Sequence, residues 1–475
     1  MSRQKTVVGH EPIYDARTLG VGKTVVLGIQ HLFAMFGATV LVPVLTGLNV
    51  STTLLFAGLG TLLFHLLTKR KVPAFLGSSF AFLAGYFAIA PDGDKALLPY
   101  ACFGVAIAGL VYLILALLFK VFGASRVMKY FPPVVTGPII IAIGIHFAPS
   151  AVDNCATNWP IALVAIVIII VCNIWGRGMI KIIPILCGVI GSYIVAAIFG
   201  LIDFTPVAEA AWIGLPVHWN ETVFGLFGSG NVDTSLLITS IITILPISFA
   251  TMMEHIGDIS AISSTVNKNF ISDPGLHRTL LGDGLATVVA SLFGAPANTT
   301  YGENTGVLTL TKVFDPLVIR LAAVFAAVLA FCPKFAAIIE VMPAATIGGI
   351  SLVLYGMISA VGVRNIVETK VDFSKSRNVI IAAMILVLSI GIHFSENGAI
   401  SFAIGSLNIN LSGIAIGSLV GIILNAVLPG KDYVFVENSP NQTGVQFDAS
   451  QGKSHTQMRR EAEKDKKAAE EADNN

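Results

Sequence analysis

Apolar runs of about 18 residues or more recur along the whole chain, each long enough, at about 1.5 Å per helical residue, to cross a hydrocarbon layer roughly 30 Å thick. A chain patterned in this way has few folds open to it. In lipid every backbone N–H and C=O must find a partner within the protein, which leaves helices and closed barrels. Runs of this length select helices. Composition agrees, since 55% of the 475 residues are apolar, 12% are charged and the mean hydropathy is +0.80, a balance that soluble globular domains do not have. The fold class read from the chain is an all-α polytopic membrane protein.

Spans are expected at 24–46, 51–68, 73–91, 97–119, 131–149, 159–175, 180–202, 235–258, 278–294, 298–313, 316–339, 343–362, 377–395 and 410–429, fourteen in all. The first twenty residues are polar, with Arg3, Lys5, Glu11 and Arg17, and lack the apolar centre of a cleavable signal peptide. Cytoplasmic loops collect lysine and arginine. With the amino terminus inside, the cytoplasmic connections hold Lys69, Arg70 and Lys71; Lys120, Arg126 and Lys129; Arg177 and Lys181; Lys268 and Arg278; Lys312 and Arg320; and Arg364, Lys370, Lys375 and Arg377. Lys95 and Lys334 fall outside that pattern, and the connections 203–235 and 395–412 have neither cation. Both termini are therefore expected in the cytoplasm, with the chain in the cytoplasmic membrane.

The division that follows is a cytoplasmic segment 1–23, a first half 24–205, an external loop 206–234, a second half 235–429 and a polar cytoplasmic tail 430–475, solvated helix or disordered. Seven spans per half is an odd number, so the halves must be inverted repeats. A faint internal match supports this. Pro73-Ala74-Phe75-Leu76-Gly77-Ser78-Ser79-Phe80 aligns with Pro296-Ala297-Asn298-Thr299-Thr300-Tyr301-Gly302-Glu303 at a shift of 223 residues, which makes Phe80 and Glu303 counterparts and sets His31 opposite Glu254. A shift of 211 relates Pro132 to Pro343 and Gly137 to Gly348.

Ionisable groups inside such a chain are costly and mark function. Glu303 lies in the Gly-broken polar stretch Thr299 to Gly306, Glu254 ends the apolar run Leu236 to Met253, and Asp258 follows one helical turn later on the same face. Three acids imply a polar cavity. Spans three and ten are short and rich in Gly, Ser and Thr, which favours interrupted backbone whose freed N–H groups can meet ligand carbonyls. The five cysteines show no paired spacing and read as small apolar residues.

These residues resemble the nucleobase-ascorbate transporters, also called nucleobase-cation symporters of the second group, and within them the bacterial uracil permeases. The family motif, an acid, Gln or Pro followed by Asn-x-Gly-x-x-x-x-Thr and a basic residue or Gly, matches Glu303-Asn304-Thr305-Gly306 through Thr311-Lys312. Gln30 to Ala38, Gly77 to Phe82, Glu254-His255-Ile256-Gly257 and Asp273 to Arg278 extend the likeness.

The resemblance implies a core domain of spans 1–4 and 8–11, a gate domain of spans 5–7 and 12–14, and a short strand in each of spans 3 and 10. It implies that Glu254 and Glu303 bond the base, that Phe80 packs on its ring, and that Ala38 and the backbone at Gly302 complete the pocket. It implies proton-driven uptake, with Asp258, His31, His255, Asp283 and Asn304 around the site, and a homodimer through the gate domains. The partners are then a nucleobase, a proton and the bilayer, with no nucleic acid and no cofactor. One position departs: uracil permeases of this type often carry His where this chain has Asp258, and an acid there looks more like purine-transporting relatives.

The chemistry fits a flat neutral ring with two N–H donors and two carbonyl acceptors, because carboxylates accept, backbone amides donate and Phe80 offers a stacking face. Proton coupling needs a group that changes charge in the working range, and closely placed carboxylates in an apolar setting supply one. Glu254 is the first candidate.

Plainer readings stand beside these. Glu254 could sit at the interface, His31 and His255 could be packing residues bonded to a neighbouring carbonyl, Phe80 could be core, Asp283 reads as support behind the site, and Asn304 as a brace for broken backbone. Xanthine, uric acid or another purine is the alternative substrate. An anion transporter of the same architecture wants a basic residue in the site, a membrane enzyme wants a nucleophile or metal set that the spacing lacks, and a passive channel would not accumulate substrate.

Overall fold

The computed structural model describes residues 8–9, 11–177, 179–228, 230, 232–396, 398–404, 407–431 and 433. The tail beyond 433 therefore lies outside the described residues. Span one is α1 (Val21–Thr46), closed by Gly47 in the left-handed conformation. Asn49 then caps α2 (Val50–Leu67) by accepting from the Thr52 amide at 3.0 Å. Span three is composite, with strand β1 (Leu76–Ser78) followed by a short helix α3 (Leu83–Ile89), and α4 (Leu98–Phe122) completes the first four crossings. Spans five to seven are α5 (Pro133–His146) continued by α6 (Ala148–Ala156), then α7 (Trp159–Ile174) and α8 (Pro184–Ile198).

The second half repeats this order. Helices α9 (Thr234–Ile244) and α10 (Ile247–Val266) form span eight, and α11 (Leu276–Leu292) span nine. Strand β2 (Asn298–Thr300) and α12 (Gly302–Thr311) form span ten. After α13 (Pro316–Leu329) comes α14 (Pro333–Glu340), and then α15 (Ala344–Glu368), α16 (Ser376–His393), a hairpin of β3 (Ala399–Ile404) and β4 (Leu407–Ser412), and α17 (Gly413–Val427). Among the described residues, seven helical stretches are long and apolar enough to cross a membrane unaided. The other crossings are shorter or interrupted.

The two composite spans meet in the middle of the protein, where β1 and β2 pair antiparallel with Gly77 opposite Thr299. Bonds from the Ser79 amide to the Ala297 carbonyl (2.8 Å) and from the Tyr301 amide to the Phe75 carbonyl (2.9 Å) extend the ladder at both ends. These bonds are related by a twofold that exchanges 77 with 299, one residue less than the shift read from the sequence, so the repeat counterpart of Phe80 is Gly302 rather than Glu303. The other expected relation holds, because Pro132 and Pro343 precede α5 and α15 as corresponding caps.

Helices pack within two groups. In the core, α4 lies along α11, and α2 along α11 and α13; in the gate, α5 lies along α15 and α16, and α7 along α8 and α15. Paired glycines allow the closest approaches. A Cβ on Gly284 would stand 2.9 Å from the Gly109 carbonyl, joining α4 to α11, and a Cβ on Gly362 would stand 2.7 Å from the Gly137 carbonyl, joining α5 to α15.

Several span boundaries shift, span five running on to Ala156 and span eight to Val266, and two shifts change the architecture. Span eleven stops at Leu329, because α14 turns away by 89° after a break that ends in Pro333. Span fourteen becomes helical only at Gly413, after the hairpin, where Ser412 accepts from the Ala415 amide. Within the connection 395–412, residues 399–404 thus pair with 407–412, Ala399 opposite Ser412, and β4 packs against α9 of the core.

Candidate functional site

A cavity of about 530 Å³ lies between core and gate at the strand crossing. Its floor includes Phe80, Glu254, Asp258, Thr300 and Gly302, and it extends toward Lys181 and Arg364 at the cation-rich end. A second space of about 170 Å³ shares Asp258, Gly302 and Arg364 and runs on past Asn365 to Thr369.

The floor is built from α10, β2 and α12. Asp258 lies one turn after Glu254 on α10, as the spacing requires, and both line the cavity. Asp258 is 7% exposed and accepts from the Thr300 hydroxyl at 3.1 Å. Glu254 is half-buried. The chain leaves β2 at Tyr301 and becomes helical at Gly302, and no side chain caps this new amino terminus. Its first N–H groups therefore lack intrahelical partners and carry the positive end of a helix dipole. Gly302 is exposed to the cavity, and a Cβ built on it would lie 3.7 Å from Asp258 Oδ1. Glu303 is the second residue of α12, and its side chain lies outside the described part of the structure.

Behind the floor, polar groups hold the broken backbone. The Tyr301 hydroxyl donates to the Ser78 carbonyl (2.9 Å), and the Ser78 hydroxyl donates to the Thr39 carbonyl (2.9 Å), bolting both strands to α1. Asn304 donates to the His31 carbonyl at 3.1 Å and its amide nitrogen stands 3.2 Å from His31 Nδ1. Thr287 donates to the Asn298 carbonyl at 2.7 Å, and Asn298 in turn to the Phe56 carbonyl at 2.9 Å. Such bonds let non-helical chain persist at membrane depth.

The residues singled out from the sequence separate into two sets. Glu254, Asp258, Phe80 and Gly302 line the cavity. His31, His255, Asp283 and Asn304 are buried behind it. His255 Nδ1 lies 3.3 Å from Asp283 Oδ2 and 3.4 Å from the Thr300 hydroxyl, so this pair reaches the floor through Thr300. Ala38, fully buried on α1, is set back from the wall, where Phe33 and Ala34 stand instead. The Phe80 ring meets the edge of Tyr355 on α15, with centroids 5.8 Å apart.

Thr300, Tyr301, Tyr355 and Arg364 carry roles that sequence reasoning did not assign. Thr300 and Tyr301 sit inside the polar stretch already singled out, and the alternation of a strand was the usable signal. Tyr355 and Arg364 belong to an ordinary apolar helix and its end, which offer none. Among the described residues no group of three or more His, Cys, Asp or Glu side chains is placed to hold a metal ion.

Residues 22–398 match the Xan_ur_permease model, described as a permease family and corresponding to the nucleobase-ascorbate transporters that the motifs resemble. The chain belongs to this permease family. It is 41% identical over 446 residues to a uracil permease of Bacillus caldolyticus, covering 90% of this chain and 98% of that one. It is 36% identical over 428 residues to the uracil permease of Escherichia coli strain K12 (86% and 94%), and 37% over 427 residues to the putative pyrimidine permease RutG of that strain (87% and 91%).

Among solved structures, the permease resembles the transmembrane domain of the cyanobacterium bicarbonate transporter BicA, with a TM-score of 0.56 at 16% identity, covering 87% of this chain and 99% of that one. It also resembles SLC26A9, with a TM-score of 0.61 at 13% identity (87% and 66%). Likeness at such identity carries the fold, two inverted halves of seven spans, and not the substrate. This permease is a multi-pass membrane transporter of a small molecule.

Proposed function

We propose that this permease imports uracil across the cytoplasmic membrane by proton symport, with both termini in the cytoplasm. The observation that carries the reading is the meeting, in one cavity, of an acceptor pair on α10, Glu254 and Asp258, with the uncapped amino terminus of α12 and the ring of Phe80. Acceptors and donors lining one cavity match the alternating N–H and C=O edge of a pyrimidine, and charge-assisted bonds from a carboxylate are about twice as strong as neutral ones. The relatives named as uracil permeases support this substrate class.

The inverted halves 24–205 and 235–429 contribute one strand each to the crossing beside the cavity, and Glu303 joins Glu254 in holding the base. Glu254 takes the proton that relieves its repulsion from Asp258 when substrate binds, and releases it on the cation-rich side. Asp258 favours a second reading, a purine such as xanthine or uric acid, because an acid here would accept from an imidazole N–H that uracil lacks.

The test is uptake of labelled uracil into proteoliposomes with and without an inward proton gradient, with unlabelled xanthine, thymine and uric acid as competitors. Gradient-dependent accumulation blocked by pyrimidines alone is the expected result. Competition by xanthine, or no uracil uptake, transfers the site to purines.

A further inference from the structure

The segment before span one crosses the ends of the two helices that carry the site acids. The Gly9 amide donates to the Thr311 carbonyl at 2.9 Å, and the Ile13 amide to the Lys312 carbonyl at 2.8 Å, so the amino-terminal segment satisfies the carbonyl of the last residue of α12 and that of the residue capping it. The Phe314 amide returns a bond to the Ile13 carbonyl at 2.7 Å, and the Ala16 amide donates to Asp315 at 2.8 Å. One residue along, the Tyr14 hydroxyl donates to the carbonyl of Val266, the last residue of α10, at 3.0 Å. The Tyr14 ring packs against Phe314 with centroids 5.6 Å apart and lies under the Lys268 ammonium at 4.3 Å.

The helix α12 has only ten residues and starts in mid-membrane at the site; Asn304 ties its first turn to α1, and the amino-terminal segment holds its far end. A short helix with free carbonyls frays from that end. Here the same strap caps α12, which carries Glu303 and Asn304, and grips α10, which carries Glu254 and Asp258.

We propose that Gly9 and residues 11–16 form a positioning strap, with Tyr14 as its key, that fixes the separation of α10 and α12 and thereby the grip of the site on its substrate. The proposal rests on the nucleobase reading for its ligand and not for its mechanics. Tyr14 touches no substrate and acts through Val266 and Phe314.

The test uses the full chain with Tyr14→Phe, which keeps the ring and removes the hydroxyl, and Tyr14→Ala, which removes both. Lys71→Ala, which breaks the ion pair to Asp273 at 2.5 Å, is the control for general loosening of the core. Initial rates of labelled uracil uptake and hydrogen exchange of segments 302–314 and 258–267 are read on each protein. The expected result is a KM raised roughly threefold to tenfold in Tyr14→Phe, as for one lost hydrogen bond. The effect should be larger in Tyr14→Ala, with kcat little changed and faster exchange confined to those two segments, while Lys71→Ala leaves both segments and KM at wild type. Unchanged exchange in the Tyr14 variants, or a fall in kcat at constant KM, overturns the strap. If the wild type takes up no uracil, that substrate reading falls alone, and exchange in 302–314 still decides: faster supports the strap, unchanged removes it.

Discussion

The Thr300 hydroxyl, at the end of strand β2, donates to Asp258 on α10 at 3.1 Å, tying the strand crossing to the helix that carries Glu254. Thr300 also stands 3.4 Å from His255, whose other neighbour is Asp283. A hydroxyl thus joins a cavity-lining acid to a buried His–Asp pair. Thr300→Val and Asp258→Asn should each weaken nucleobase binding, and the double variant should lose less than the sum, with a coupling of about 0.5–3 kcal/mol. Calorimetry on the four proteins reads this directly, and strict additivity would show that the bond plays no part in binding.

Glu254→Gln should keep substrate exchange across the membrane and lose accumulation driven by a proton gradient. Counterflow and gradient-driven uptake, measured on the same proteoliposomes, separate the two. Full, pH-dependent accumulation by the variant would remove Glu254 from proton coupling.

Phe80 presents its ring to the cavity and its edge partner is Tyr355 across the core–gate boundary. Phe80→Ala should raise Kd about tenfold, the equivalent of roughly 1.4 kcal/mol for a lost aromatic face. Phe80→Tyr should stay near wild type. An alanine variant that binds as well as the parent would place the ring in packing alone.

Gly77 is held where no side chain fits, since an added Cβ would stand 2.5 Å from the Tyr301 ring and 2.6 Å from the Thr39 hydroxyl oxygen. Gly77→Ala should lower the midpoint of thermal unfolding, consistent with about 1–3 kcal/mol of overpacking, and abolish uptake. Gly356→Ala is the control, because nothing lies within 4 Å of the corresponding Cβ. Equal behaviour of the two variants would mean that the strand crossing yields without consequence.

Much of this fold was legible because lipid makes span length a strong signal, and spans three and ten declared themselves by Gly, Ser and Thr where apolar residues were due. The hairpin 399–412 was missed although Ile400 and Phe402 alternate with Ser401 and Ala403, since a search for long apolar runs passes over a period of two. At the site, Glu254 and Asp258 were visible as one helical face. Tyr355 and Arg364 were not, because their place opposite Phe80 and Asp258 is decided by how the gate packs on the core, which no local pattern encodes. The one-residue error in the repeat shift has the same origin: backbone pairing, rather than side-chain identity, fixes the register of β1 on β2.

The bond from Tyr301 to Ser78 closes across 223 residues of chain. At about 5–20 residues per second of synthesis, β1 is made roughly 10–45 s before its partner strand exists. During that interval the partners that β1 finds in residues 297–301 do not yet exist. Thr61 meets part of the need from within the first half, accepting from the Leu76 amide at 2.9 Å and donating to the Leu76 carbonyl at 3.2 Å. The candidate site is therefore a late product of assembly: a chain halted after its seventh span carries Phe80 but has neither Glu254 nor β2.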